Sequence, residues 1–267
     1  MIDFSNKVAI VTGGASGIGQ AAALGFARGG AKVVVVDRDV TGGKATVELL
    51  QDAGTEAMFV ETDVTQSAQV AHFVEKTLAR FGSIDCFYNN AGVDGKWGPT
   101  AESDEEEFDH VVKVNLKGVY LGLRHVLPVM LRQKSGAVVN TASIGGLMGV
   151  PGMSAYIASK HGVIGLTQSA AGEVAHAGVR VNAVCPGLID TPMFRLAMSR
   201  RRSSENDAVE QTSGVTVNTP MGRVGTPEEM ANVALFLCSD LASYVTGSHY
   251  VAAGGRLATA GAVYTPR

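Results

Sequence analysis

Tyr156 and Lys160 stand four residues apart, within a pattern that predicts a helix over residues 154–175. Side chains at positions i and i+4 share one face of a helix, so the ammonium lies one turn from the phenol. A positive charge there favours the phenolate and lowers the tyrosine pKa from about 10. Bringing that pKa to about 7 takes roughly 4 kcal/mol of differential interaction. The pair has the chemistry of a general acid and base, although the same spacing also occurs in surface pairs.

A glycine-rich stretch is typical of nucleotide binding. Residues 12–19 read Thr-Gly-Gly-Ala-Ser-Gly-Ile-Gly, between an apolar predicted strand and a predicted helix. Gly13 permits a tight turn, Gly17 lets the backbone approach a pyrophosphate, and Gly19 lets the helix pack close to the sheet. The helix N-terminus then offers free N–H groups to the phosphates. The spacing is GxxxGxG rather than GxGxxG, but the strand–turn–helix context supports a dinucleotide site.

Asp37 ends the second predicted strand, 18 residues after Gly19. A carboxylate at that place can accept hydrogen bonds from both ribose hydroxyls of an adenosine, and it repels a 2′-phosphate. At ~4 Å and an effective dielectric of ~20 the repulsion is about 4 kcal/mol before solvent screening. The sequence therefore predicts NAD rather than NADP, with Arg38 as the residue that a phosphate would need. The alternative for Asp37 is a solvated turn carboxylate.

These residues can act together only in a fold that places the ends of several strands close to one another. Short apolar runs predict strands at 8–12, 32–36, 57–61, 84–88, 137–141, 179–184 and 249–252. Helical patterns lie between them at 16–28, 41–53, 66–81, 104–133 with a break before Pro128, 154–175 and 227–238. Apolar strands that alternate with helices predict a parallel sheet covered on both faces. We predict an α/β fold: a single-domain Rossmann fold over residues 1–267, with a doubly wound parallel sheet of about seven strands.

Small polar loops follow three of the predicted strands, at residues 89–92, at Ser143 and at residues 186–191. In a doubly wound sheet such loops share one edge, and ligands bind there. Residues 187–222 fit the alternation poorly, because their middle is polar and rich in arginine and serine. Long irregular segments in compact domains are often functional lids. We predict a mobile substrate flap over 187–222, with a surface insertion as the alternative.

The composition excludes several classes of protein. The 267 residues are 46% hydrophobic and 18% charged with a net charge of −3, which predicts a packed core and no nucleic-acid partner. The one basic cluster, Arg200 to Arg202, is short. The three cysteines lack the spacing of a disulfide framework or a metal site, which fits a reducing cytoplasm. The first seven residues are too polar for a signal peptide, and no apolar run reaches membrane-spanning length. We expect a cytoplasmic protein with no membrane or metal partner.

Taken in order, the motifs resemble those of the short-chain dehydrogenase/reductase family over essentially the whole chain. TGGASGIG at 12–19 is similar to the TGxxxGxG of that family, and NNAG at 89–92 resembles its sheet-stabilising motif. The pair Asp63 and Val64 resembles the adenine-contacting pair. The residues that match the catalytic set are Asn115, Ser143, Tyr156 and Lys160. One departure is Ala253, where members often carry an aspartate before the final glycine pair.

The resemblance implies a mechanism and a set of contacts. Tyr156 would be general base in alcohol oxidation and general acid in carbonyl reduction. Lys160 would bond the nicotinamide ribose, and Ser143 would hold the substrate oxygen. Asn115 would hold a water that links Lys160 to solvent, unless it is only a helix-kink asparagine. Ile189 and Thr191 would bond the carboxamide of the cofactor. The full set of cofactor residues that the resemblance implies is Gly13, Ser16, Gly17, Ile18, Gly19, Asp37, Arg38, Asp63, Val64, Asn90, Ala91, Gly92, Tyr156, Lys160, Pro186, Gly187, Ile189 and Thr191.

The substrate candidates are mainly apolar and suit an alicyclic or aromatic secondary alcohol or ketone. They are Asp94, Trp97, Gly145, Leu147, Leu188, Met193 and Phe194. Residues 89–96 and 140–146 resemble the NAD-dependent cyclic alcohol and levodione-type reductases of the family. Two alternatives stay open: an NADPH-dependent 3-ketoacyl thioester reductase, which Asp37 disfavours, and a non-catalytic NAD-binding regulator, which typically lacks the tyrosine or lysine. The resemblance also implies a homotetramer, with the helices of Asn115 and Tyr156 at one interface.

Overall fold

A single sheet of seven parallel strands organises the molecule. The computed structural model describes residues 2–202 and 219–258. The strands are β1 Val8–Thr12, β2 Lys32–Asp37, β3 Ala57–Glu61, β4 Cys86–Asn89, β5 Gly136–Thr141, β6 Val179–Pro186 and β7 His249–Ala252. Their order is β3-β2-β1-β4-β5-β6-β7, and every neighbouring pair is parallel. The prediction of a doubly wound Rossmann fold is confirmed.

Helices cover both faces of this sheet. They are α1 Gly17–Arg28, α2 Val40–Asp52, α3 Ser67–Phe81, α4 Glu105–Val112, α5 Gly118–Gln133, α6 Ser154–Val174, α7 Pro192–Arg202 and α8 Pro227–Cys238. Successive strand residues point to opposite faces, so Ile10 and Val138 pack with α3, α5 and α6. Their neighbours Val11 and Val139 pack with α1, α2 and α8. The chain therefore has one apolar core on each side of the sheet.

The direction of the chain reverses at the centre of the sheet. From β1 it runs outward through β2 to β3, and it then returns to place β4 on the other side of β1. Loops that leave β1 and β4 must part there, which opens a crevice beyond their carboxyl ends. The residues predicted to do chemistry follow β1, β2, β4, β5 and β6. The topology thus brings them to one edge.

The long helix predicted over 104–133 is interrupted at a different place from the one expected. Pro128 lies inside α5, with no break before it, so that part of the prediction was wrong. Nine residues of α5 are buried, and this packing outweighs the local cost of the proline. The interruption is instead a π-helical segment, Lys113–Lys117, between α4 and α5. Segments of this kind occur frequently at functional sites.

The segment expected to be an irregular flap contains a helix. Helix α7 (Pro192–Arg202) occupies the first part of 187–222, while residues 203–218 lie outside the described residues. The movement of a flap at 187–222 therefore stays a prediction. Within the described ranges, no helix combines the length and the apolar character needed to cross a membrane.

Candidate active site

The loop between β1 and α1 forms a cradle of backbone. Gly13 and Gly17 have φ angles of +68° and +54°, which side chains with a Cβ rarely adopt. Ser16 caps α1 without a side-chain hydrogen bond, so the N–H groups of the first turn are free for a ligand. A Cβ on Gly19 would collide with the carbonyl oxygen of Gly13. Gly19 therefore lets α1 pack against its own loop, whereas the sequence predicted close packing against the sheet.

Asp37 borders this cradle at the end of β2. Its Oδ2 accepts a hydrogen bond from the N–H of Ala15 at 3.0 Å, and its Oδ1 accepts one from the N–H of Asp39 at 3.0 Å. These bonds fix the carboxylate beside the glycine loop, half-buried on the wall of a cavity. Arg38 and Asp63 line the same end of the cavity. This end carries the polar groups that an adenosine ribose would need.

A polar network joins the ends of β1, β4 and β5 below the cavity. The Oγ1 of Thr12 accepts hydrogen bonds from the N–H groups of Asn90 and Ala91, at 2.8 and 3.1 Å. The side chain of Asn90 donates to the Thr12 carbonyl at 3.0 Å and accepts from the Thr141 hydroxyl at 3.1 Å. The sequence identified Asn90 but not its two threonine partners, because residues 12, 90 and 141 meet only in the folded sheet.

Tyr156 and Lys160 face this cavity from the first turns of α6. The Nζ of Lys160 lies 5.6 Å from the centre of the Tyr156 ring and donates to the carbonyl oxygen of Thr141 at 2.8 Å. Ser143 follows β5, and its hydroxyl is close enough to the phenol to lower the pKa of Tyr156. Its Oγ also accepts from the N–H of Gly145 at 3.0 Å. The structure therefore brings the predicted serine, tyrosine and lysine together.

Burial dominates the electrostatics of this trio. Removal from water raises the pKa of Tyr156 to about 12, against a hydrogen bond from Ser143 that lowers it, and the Asp94 carboxylate raises it further. Burial also lowers the pKa of Lys160 to about 8. The expected lowering of the tyrosine pKa by Lys160 is thus not found in this state of the protein. The ammonium is directed at the Thr141 carbonyl, and burial outweighs its charge.

Asn115 sits in the π-helical segment and is fully buried. Its Nδ2 donates to the Val93 carbonyl at 2.9 Å and to the Ser159 hydroxyl at 3.2 Å, and its Oδ1 accepts from the Val93 N–H at 2.8 Å. The side chain thus ties the loop after β4 to α6. A Cβ on Gly92 would lie 3.1 Å from the Asn115 Oδ1 and 3.6 Å from the Lys160 Nζ. The amide and the amine therefore flank the same glycine, and the water between them stays a prediction.

One cavity of about 490 Å³ connects these groups. The glycine loop and Asp37 lie at one end, and Ser143, Tyr156 and Lys160 lie farther along. The predicted residues on its wall are Gly13, Ser16, Gly17, Ile18, Asp37, Arg38, Asp63, Val64, Asn90, Ala91, Gly92, Asp94, Trp97, Ser143, Gly145, Tyr156, Lys160, Pro186, Gly187, Leu188, Ile189, Thr191, Met193 and Phe194. Such a shape suits a dinucleotide and a small substrate end to end.

Known proteins share this sequence and this fold. Residues 13–256 match a family model described as Enoyl-(Acyl carrier protein) reductase. Levodione reductase of Leifsonia aquatica is 44% identical over 257 residues, 96% of each chain. A crystal structure of levodione reductase, 42% identical, covers 96% of this chain and 99% of its own with a TM-score of 0.92. This chain belongs to the short-chain dehydrogenase/reductase family. The family prediction made from the motifs is confirmed.

Two further matches indicate the range of chemistry among similar dehydrogenases. Cyclohexanol dehydrogenase of Acinetobacter sp. (strain SE19) is 39% identical over 251 residues, 94% of this chain and 95% of that one. A crystal structure of NAD+-bound xylitol dehydrogenase, 32% identical, covers 94% of this chain and 99% of its own, with a TM-score of 0.89. The present chain is therefore an oxidoreductase of the short-chain dehydrogenase/reductase family.

Three predicted site residues of this short-chain dehydrogenase/reductase do not line the cavity. Gly19 and Asn115 act behind it, through the contacts described above. Leu147 packs against the core and is not on the wall of the cavity, so its contact with substrate stays a prediction. The short 3₁₀ turn at Ile144–Gly146 directs the chain back toward the sheet, and this turn has no clear sequence signal.

Other wall residues were not identified from the sequence. Met153, the N-cap residue of α6, and Ile157, the residue after Tyr156, line the cavity. Met153 precedes Tyr156 by three residues, so the helical period could have identified it as a neighbour on the same face. Met148, Val150, Ala197, Met198 and Arg256 also line the cavity. They come from a turn, a helix and a terminal loop whose approach depends on tertiary folding. In residues 2–202 and 219–258 no cluster of His, Cys, Asp or Glu has the geometry of a metal site.

Proposed function

We propose that this protein is an NAD(H)-dependent dehydrogenase that interconverts a secondary alcohol and its ketone, with a small apolar or alicyclic substrate. The observation that carries the proposal is the single cavity that joins Asp37 and the glycine loop to Ser143, Tyr156 and Lys160. The relatives named for levodione and cyclohexanol support the alicyclic class. An oxidoreductase acting on CH–OH groups needs these two ends in one space, one to hold the cofactor and one to move the proton.

The cofactor end fits a dinucleotide. The left-handed glycines and the free N–H groups of α1 would hold the pyrophosphate, and Asp37 would accept from the adenosine ribose. Ile189 and Thr191, after β6, would hold the carboxamide. When bound, the cofactor supplies or accepts the hydride. The fixed carboxylate of Asp37 supports NAD over NADP, since a 2′-phosphate would meet a like charge there.

The substrate end fits acid–base chemistry at one oxygen. In reduction, Tyr156 donates its Oη proton to the substrate oxygen while the Ser143 hydroxyl donates a hydrogen bond to the same atom. In oxidation the tyrosine takes the proton of the alcohol, while the Ser143 hydroxyl keeps its hydrogen bond to the same oxygen. The phenolate left by reduction is stabilised by positive charge, which Lys160 supplies. Lys160 then supplies a proton that restores the Tyr156 phenol, and it recovers a proton from solvent through the water that we propose beside Asn115.

Burial determines how much free energy is needed to lower the pKa of Tyr156 to the working pH. Bringing a phenol from a pKa of about 12 to about 7 takes roughly 7 kcal/mol of differential interaction. The same burial strengthens the effect of each positive charge brought near the phenol, because Coulomb interactions grow as the dielectric falls. The site is therefore expected to become reactive only after ligands have displaced water from the cavity.

The test is a fluorescence titration of the protein with NADH and with NADPH, repeated for Asp37→Ala. We expect NADH to bind at least tenfold more tightly than NADPH, and the variant to gain affinity for NADPH. An NAD+-coupled assay with cyclic secondary alcohols then tests the substrate class. If the wild type prefers NADPH, the 3-ketoacyl thioester reductase becomes the leading function. Cofactor binding without turnover on any alcohol or ketone would favour the non-catalytic regulator.

A further inference from the structure

The turn that follows β7 brings an arginine to the cavity wall. Gly254 and Gly255 have φ angles of +58° and +86°, and the N–H of Arg256 donates to the carbonyl of Ala253 at 3.1 Å. The Gly254 carbonyl accepts from the Met221 N–H at 3.1 Å. These contacts fold the chain back on itself, so the position of Arg256 is fixed by backbone rather than by a free terminal strand.

The same turn is packed against the loop after β6. The N–H of Gly187 donates to the carbonyl of Ala252 at 3.0 Å, and a Cβ on Gly187 would lie 2.8 Å from the Ala253 Cα. Gly187 and Leu188 line the cavity together with Arg256. Gly187 is a predicted cofactor residue and Leu188 a predicted substrate residue, so this contact places Arg256 beside the loop after β6, where the two sets of residues meet.

The guanidinium of Arg256 carries an unmatched hydrogen-bond donor. Its Nη1 is buried, and within the described ranges it has no hydrogen-bond partner. Two other arginines of this protein are paired with carboxylates. Arg195 lies 2.7 Å from Asp190, and Arg223 lies 2.6 Å from Glu229. An N–H removed from water without an acceptor is costly. The cavity therefore has a positive group whose acceptor must come from elsewhere.

We propose that Arg256 is a substrate-recognition residue that receives an oxygen acceptor carried by the substrate away from its reacting carbon. The inference rests on the proposed function and specifies its substrate class. A guanidinium bonds a carboxylate through two parallel N–H groups and a carbonyl through one. The wall of the same cavity also carries the apolar side chains of Met153, Ile157 and Phe194. The substrate is then a hydroxy or oxo compound with a hydrocarbon body and a second oxygen function, either a carboxylate or a carbonyl.

The test compares three alcohols in the NAD+-coupled assay: cyclohexanol, 4-hydroxycyclohexanone and 4-hydroxycyclohexanecarboxylate. The proteins are the wild type, Arg256→Leu, Arg256→Lys and the control Arg132→Leu, which removes an exposed arginine of α5. We expect Arg256→Leu to lower kcat/KM for an acceptor-bearing alcohol, relative to cyclohexanol, by about 10- to 100-fold, mainly through KM. Arg256→Lys keeps the charge without the planar fork and should recover part of the loss. The control should behave as the wild type.

The outcomes separate the two proposals. If Arg256→Leu lowers kcat/KM most for 4-hydroxycyclohexanecarboxylate, the acceptor is a carboxylate; if it lowers kcat/KM most for 4-hydroxycyclohexanone, the acceptor is a carbonyl. An equal loss on all three alcohols, or no loss on any, overturns the role of Arg256 but leaves the proposed function in place. A wild type that oxidises none of the three overturns both. NADH affinity, measured for each variant, shows whether a loss comes from misfolding; if Arg256→Leu fails to fold, Arg256→Lys alone must show the selective loss.

Discussion

At the scale of single residues, burial rather than pairing sets the acidity of the site. Lys160 is buried and Tyr156 is half-buried, and each pKa is shifted toward the neutral form of its side chain. A protein that only needed stability would not bury an amine in this way, because a desolvated ammonium is costly. Two predictions follow from the direction of these shifts.

Replacement of Lys160 by methionine is expected to stabilise the cofactor-free protein while abolishing turnover. The folded pKa of about 8 lies below the ordinary 10.5, so the unfolded chain binds more protons and stability rises with pH between these values. The penalty is complete below pH 8, at about 3 kcal/mol, and is partly offset by the bond to Thr141. We expect Lys160→Met to raise the free energy of unfolding by about 1–2 kcal/mol at pH 7, and by less near pH 10.

Urea unfolding at pH 7 and pH 10 measures this difference. Lys76→Met, which replaces an exposed lysine of α3, is the matched control and should change stability by less than about 0.5 kcal/mol. A Lys160→Met protein less stable than the wild type at pH 7 would show that the bond to Thr141 outweighs the burial of the charge.

Replacement of Asp94 by asparagine is expected to move the pH profile of alcohol oxidation. Burial is the main cause that raises the pKa of Tyr156, and the Asp94 carboxylate adds to it, while Ser143, Lys160 and Cys185 are the other groups at the phenol. Removing the negative charge favours the phenolate, so the rising limb of kcat/KM shifts to lower pH. Asparagine can still accept the 3.1 Å bond from the Trp97 indole. The control is Asp52→Asn, which changes an exposed carboxylate at the end of α2, and a shift to higher pH would contradict the assignment.

At the scale of elements, helix α4 holds the loop that carries Asp94 and Trp97. The Oε1 of Glu107 accepts from the Lys96 N–H at 2.9 Å, and its Oε2 lies 3.9 Å from the Lys96 Nζ. Gly95, with φ +84°, allows the turn to lie close to Val111 of the same helix. The shape of the substrate end therefore depends on a carboxylate outside the cavity.

Glu107→Ala is expected to raise KM for the alcohol by about 2- to 10-fold with a smaller effect on kcat, as for the loss of one hydrogen bond. Glu107→Gln keeps the acceptor for the Lys96 N–H and should recover most of the loss. Glu105→Ala removes an exposed carboxylate from the same helix and serves as the control. A loss confined to kcat would place the effect of Glu107 at the reacting atoms instead.

What the sequence revealed of these elements depended on how local each signal is. The glycine loop, Asp37 and the Tyr156–Lys160 pair are short patterns within one strand end or one helix turn, and the structure places all of them on one cavity. Asn115 was found by resemblance, but its bonds to Val93 and Ser159 join parts far apart in the chain. Arg256 carries no pattern, and only the packing of its turn against Gly187 brings it to the cavity.

At the scale of the whole molecule, the outer faces of α4 and α5 expose large apolar side chains. Phe108 and Tyr120 are 39% and 44% exposed. Apolar side chains on a helical face are a common feature of interfaces. We therefore propose a homotetramer, with the helices of Asn115 and Tyr156 at one contact.

Light scattering at micromolar concentration is expected to give the mass of four chains, and Tyr120→Lys is expected to lower it. Lys76→Met on α3 provides the control for assembly. A mass near one chain for the wild type would contradict the tetramer without affecting the assignment of the site.

The two ends of the cavity are built from parts of the chain that are synthesised at different times. The glycine cradle and Asp37 lie within the first 37 residues, whereas the turn of Arg256 follows β7, at the far end of the sheet. Chains are synthesised from the N-terminus, and their early parts begin to fold first. A growing chain would therefore contain the glycine loop and Asp37 well before it contains Arg256, so the adenosine end of the cavity is the first part to be synthesised.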